Sequence, residues 1–99
     1  MAMAGGLKSP EPATEEVQEL LNGIKTEVEE KVGSKFDVYA AKLYSTQVVN
    51  GVNYFVKVYI GNDKYIHVRF HQALPMAGSV VTLTAVQVDK AEADPLIYF

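Results

Sequence analysis

The sequence predicts an α+β fold, with an antiparallel β-sheet meander wrapped around one N-terminal α-helix. Three observations predict it. Apolar residues recur at helical spacing between Thr14 and Gly33. Apolar and polar residues alternate after Ser34. Asn50-Gly51, Gly61-Asn62-Asp63 and the Leu74-to-Ser79 segment cut that alternation into four strand-like runs. A chain of 99 residues, 48% of them hydrophobic, suits a single domain spanning 1–99 with one modest core.

Residues 1–13 hold Gly5, Gly6, Pro10 and Pro12 and show no periodicity, so they are expected to form a flexible tail without packing of its own. Thr14 then suits an N-cap, with Glu15 and Glu16 where the helix dipole favours negative charge. Val17, Leu20, Leu21, Ile24 and Val28 follow on one helical face, and Gly33 ends the helix. Gly23 costs about 1 kcal/mol relative to alanine inside a helix, and is expected to mark close contact with a neighbouring strand.

Among the strand-like runs, Val52, Tyr54, Val56, Val58 and Ile60 share one face, as do Ile66, Val68 and Phe70, with Val81 and Leu83 after them. That face is expected to meet the helix. In the first run the apolar parity changes, from Phe36, Val38 and Ala40 to Leu43, as a bulge near Ala40-Ala41 requires.

Asn50-Gly51 is a strong signal for a two-residue type I′ turn, which pairs Val49 with Val52 and Val48 with Asn53. Two adjacent valines at the tip then point to opposite faces, and one helix covers only one of them. Length argues the same way, because the arm from Phe36 to Val49 spans about 45 Å and a helix of some 18 residues about 27 Å. Part of the hairpin therefore runs past the helix. Strand propensity alone accounts equally well for two valines taken in isolation.

Composition removes several classes of function. Net charge is −3, from nine basic and twelve acidic residues, which leaves no basic surface for nucleic acid. Cysteine is absent, which excludes disulfides, thiolate metal sites and a cysteine nucleophile in this chain. No apolar run approaches a membrane span or a signal peptide, so a cytoplasmic location without membrane contact is expected.

Read beyond single residues, the chain resembles the stefins, the intracellular cystatins that inhibit papain-like cysteine proteases. Gln47-Val48-Val49-Asn50-Gly51 matches the family's Gln-Val-Val-Ala-Gly at four of five positions. Gly5 and Gly6 precede Pro12-Ala13-Thr14 as the family's N-terminal glycine precedes its Pro-Ala-Thr, and Leu74-Pro75 matches the Leu-Pro of its second loop. "VQVDKAEAD" and the final "YF" look like stefin sequence too. Secreted cystatins carry disulfide cysteines and a Pro-Trp in the second loop, and neither occurs here.

The resemblance implies a cystatin-like fold and a tight, reversible, competitive inhibitor of cathepsin-type proteases. In such an inhibitor Gly5 and Gly6, the Val48-Val49 hairpin and Leu74-Pro75 form a wedge in the enzyme's cleft. It implies that Gln47 supports the hairpin and that Gly51 contacts the enzyme. Asn50 stands where the family has alanine, with consequences for affinity more than mechanism. A monomer is implied, with a domain-swapped dimer as the alternative, and Asn50 bears on that exchange in either direction. A second reading is a binding scaffold of the same fold, natural or engineered, for a protein other than a protease. A third is a structural element that self-associates by strand exchange.

Other constellations carry less. His67 and His71 share a face with Tyr65 and Arg69, but four strand residues separate them by about 13 Å, too far for one metal, so a solvated outer face is expected. Glu15, Glu16, Glu19, Glu27, Glu29 and Glu30 form the wet side of the helix. The tyrosines lack the basic groove of a nucleic-acid platform. Ser, His and Asp occur without a nucleophile signature, so neither catalysis nor a cofactor is expected.

Overall fold

A computed structural model describes residues 7–99. Thr14 starts the helix as its side chain predicts, with its hydroxyl accepting from the Val17 amide at 3.2 Å. The expected single helix is broken into α1 (Glu15–Gly23) and α2 (Lys25–Val32), with Ile24 between them at φ −115°, ψ 13°. At the break the Ile24 amide reaches the Leu21 carbonyl, a three-residue step, and the Tyr39 hydroxyl donates to that same carbonyl at 3.1 Å. Gly33 closes α2 in the left-handed conformation.

Gly23 is not the close contact expected. A Cβ there would meet nothing within 4 Å.

Four long strands follow, β2 (Ala40–Val49), β3 (Gly51–Tyr59), β4 (Tyr65–Gln72) and β5 (Val81–Lys90), joined as an antiparallel meander. Before them, β1 (Glu11–Pro12) pairs with β2, Glu11 opposite Tyr44 and Pro12 opposite Leu43. The backbone bonds Lys8 N–H to Thr46 O and Ala13 N–H to Lys42 O, both 3.0 Å, extend that contact. The expectation that residues 1–13 lack packing is therefore corrected from Lys8 onward. Pro12 has no N–H to offer a ladder, which suits an edge strand, and β1 covers part of the exposed edge of β2.

Val17, Leu21, Ile24 and Val28 pack on Val56, Val58, Ile66, Val68 and Phe70 as the core. Of the residues read as inward in the first run, Phe36 reaches the core, but from Val38 to Leu43 the parity is off by one residue. Tyr39, Ala41 and Tyr44 turn inward, while Leu43 lies opposite Lys57 on the outer face, with the bulge between Ala41 and Leu43. The strand also begins at Ala40 and not at Phe36, whose amide is taken by the Glu29 carboxylate at 2.8 Å. Gln18 fixes this stretch to α1, donating to Tyr39 O at 3.0 Å and accepting from the Ala41 amide at 2.7 Å.

The outer face is not open either. Residues 91–99 fold back across it and bury Phe55 against the rings of Tyr98 and Phe99, with centroids 5.6 and 5.5 Å away. Lys57, itself buried, donates to the carbonyl oxygens of Ala91, Glu92 and Asp94. Arg69 lies over Phe55 and Tyr98 and donates to Phe99 O. His67 is completely buried, so the solvated outer face expected for it is wrong. No described helix is long and apolar enough to cross a membrane.

Candidate functional site

The hairpin between β2 and β3 departs from its expected register. Val48 lies opposite Val52 and Val49 opposite Gly51, leaving Asn50 alone at the tip. Among the described residues Asn50 is not one with positive φ, whereas Gly51 sits at φ 102°. The strained conformation therefore falls on the residue without a side chain, and no type I′ pair forms here. Asn62 and Asp63, with φ 53° and 57°, supply consecutive left-handed residues at the next hairpin instead.

Gly51 is held by its surroundings as well as by its backbone. A Cβ there would lie 2.5 Å from Gln72 O and 2.6 Å from His71 Nε2. The same imidazole donates from Nε2 to Asn50 O at 2.9 Å. Gln47 lies opposite Asn53 and accepts from its carboxamide at 2.8 Å, cross-linking the hairpin just below the tip.

Since Val52 also pairs with Gln72, and Gln72 with Val81, the β2–β3 tip and the β4–β5 loop lie side by side at one end of the sheet. Leu74 leads that second loop, Pro75–Ala77 form a 3₁₀ turn, and Gly78 and Ser79 return the chain with positive φ. Ala73 N–H to Val80 O at 2.8 Å and Ser79 N–H to Leu74 O at 3.1 Å close the loop.

This end is apolar and wet. Val48 is 59% exposed, Val49 42%, Leu74 37%, Met76 90% and Val80 58%, which puts five of the nine exposed large hydrophobic side chains among the described residues on these two loops. Residues 47–53 and 70–88 contain no Lys, Arg, Asp or Glu. A partner docking here desolvates almost no charge. Met76, Val80 and His71 belong to this end although no motif marks them; the adjacent valines at 80–81, of which Val81 packs on the core and Val80 is left outward, and the parity of His71 were the available signals. Gly5 and Gly6 lie outside the described residues.

Among the described residues of the two loops the titratable side chain is His71, and it is engaged with the Asn50 carbonyl. Among the described residues no group of three or more His, Cys, Asp or Glu is placed to hold a metal ion.

A helix lying across an antiparallel meander, with two uncharged loops side by side at one end, defines the class of protein. Residues 5–92 match the cystatin-domain family. Cystatin-B of Oplegnathus fasciatus is 41% identical over 97 residues, covering 98% of this chain and 97% of that protein. Leukocyte cysteine proteinase inhibitor 1 of Sus scrofa is 42% identical over 97 residues, covering 98% and 94%, and Cystatin-B of Homo sapiens 39%, covering 98% and 99%. The chain belongs to the cystatin family, on its stefin branch.

Proposed function

We propose that this chain is a tight-binding, reversible inhibitor of papain-like cysteine proteases that occupies the active-site cleft without chemistry of its own. The observation that carries the reading is the row of exposed apolar side chains, Val48, Val49, Leu74 and Met76, on two uncharged loops at one end of the sheet. Each valine contributes about 1.5 to 3 kcal/mol when fully covered, and a few such anchors dominate a small interface. The hairpin is ordered before contact by the Gln47–Asn53 and His71–Asn50 hydrogen bonds, so little ordering entropy is lost on docking.

In this reading the segment ahead of Leu7, with Gly5 and Gly6, is the third part of the wedge. The β1–β2 register and the Lys8–Thr46 bond support it, because they run the chain antiparallel to β2 alongside Thr46, close to Val48. Cathepsin-type enzymes are the proposed targets and the cytosol the proposed compartment, in keeping with a cysteine-free chain.

Titration of papain with the purified protein, following hydrolysis of a small peptide substrate, tests the function. Tight inhibition at near one-to-one ratio is expected, and joint replacement Val48→Asp and Val49→Asp should weaken it by several kcal/mol, since two carboxylates would then be desolvated. No inhibition by the unaltered chain at large excess would point to the scaffold reading, with another protein as partner. Unchanged inhibition by the double variant would remove the valines from the interface.

A further inference from the structure

The chain contains Asn-Gly twice, at Asn22-Gly23 and at Asn50-Gly51. Asparagine before glycine is the pair most prone to lose its side-chain amide, because no side chain on the second residue hinders attack by its backbone nitrogen. The fold treats the two copies differently.

Asn22 sits in α1, where helical geometry holds the next amide away from the side chain, and its Oδ1 accepts from Gln18 Nε2 at 2.9 Å. Asn50 is exposed at the tip of a hairpin, and no described group bonds its carboxamide. Its own carbonyl accepts the His71 Nε2–H at 2.9 Å. That carbonyl belongs to the same peptide unit as the Gly51 N–H. A donor on the oxygen stabilises the amide anion and so makes the Gly51 N–H more acidic.

We propose that Asn50 is a site of spontaneous deamidation that ages the proposed protease-binding tip, while Asn22 is protected. Hydroxide takes the proton from the Gly51 nitrogen, which attacks Asn50 Cγ. The tetrahedral adduct expels ammonia and leaves a five-membered succinimide. Water then opens the ring at either carbonyl, giving aspartate or isoaspartate. The net exchange is one water consumed and one ammonia released, with a carboxylate left at the tip.

Either product alters this end of the molecule. The carboxylate is the first formal charge within residues 47–53. Isoaspartate also adds one backbone atom at a tip where Asn50 alone separates the Val49–Gly51 pair. The consequence for inhibition rests on the function proposed above; the chemistry does not.

The test is to hold the folded protein at mildly alkaline pH. The Asn50 and Asn22 peptides are followed by mass spectrometry, isoaspartate by enzymatic methylation, and papain inhibition alongside. A urea-unfolded sample serves as the reference. Asn50 should convert at least about tenfold faster than Asn22 in the folded chain, and the two at similar rates in urea. Inhibition should fall with the converted fraction, while the Asn50→Ala variant, whatever its starting affinity, should show no further loss relative to its own unincubated sample. Equal rates in the folded chain, or full inhibition after conversion, would overturn the proposal. Should fresh protein fail to inhibit papain, the functional reading fails while the peptide and isoaspartate measurements still decide the chemistry.

Discussion

At the scale of single residues the candidate site turns on Gly51. Its φ of 102° lies where a side chain is strained, and a Cβ would stand 2.5 Å from the Gln72 carbonyl oxygen, a backbone atom that cannot swing aside. Gly51→Ala is therefore expected to destabilise the protein by about 2 to 4 kcal/mol, combining backbone strain with the displacement of β4. Urea unfolding checks this; a midpoint equal to that of the parent chain would contradict the geometry. Asn50 beside it needs no such conformation, which is why the Asn-Gly signal located the hairpin but misread its turn. The signal identifies a pair suited to positive φ, whereas the packing of Gln72 and His71 around Gly51 decides which residue takes it. Val48, Val49, Leu74 and Pro75 were legible from motifs, while Met76, Val80 and His71 join them only through strand pairings between residues far apart in sequence.

Among the elements, the helix shows how periodicity reads a face without reading continuity. Val17, Leu21, Ile24 and Val28 all reach the core as the spacing predicts, yet the helix breaks at Ile24. The Tyr39 hydroxyl and the Leu21 carbonyl that meet there are 18 residues apart, so no local pattern announces the break. Gly23 precedes it with open space around its α-carbon, which separates its role from packing. Gly23→Ala should accordingly stabilise the chain by about 0.5 to 1 kcal/mol through helix propensity alone. A rise in the thermal midpoint is the expected reading, and a clear loss would show that the break itself requires glycine. The meander and the bulge in β2 were legible because alternation and its interruption are local. The two-residue β1 was not, since Glu11-Pro12 has neither the length nor the alternation of a strand and gains its place only from the free edge of β2.

The whole molecule is a three-layer arrangement in which the last layer is residues 91–99, and its stability has a pH dependence that follows from what they cover. His67 is 0% exposed, lies opposite Lys57 in the ladder, and has no hydrogen-bond partner at either ring nitrogen. Burial first, then the charges of Lys57 and Lys90, lower its pKa to about 4, with Asp94 opposing weakly. The ordinary value is 6.5. Between those two values the unfolded chain binds a proton that the folded chain refuses, so stability rises with pH through that window. Above 6.5 both states are neutral and the stabilisation is complete; below about 4 both are charged and it is gone. The loss from neutral pH to pH 4 is on the order of 3 kcal/mol for this one group. It should act first on the covering segment, because a charged imidazole beside Lys57 and Lys90 repels the cation that holds the Ala91, Glu92 and Asp94 carbonyl oxygens. His67→Leu keeps a buried side chain without the titration. Its unfolding free energy should stay nearly level between neutral pH and about pH 4, where that of the parent chain declines. Amide exchange in residues 91–99 of the parent should quicken over the same range. A variant that declines in parallel with the parent would place the acid sensitivity on the carboxylates instead.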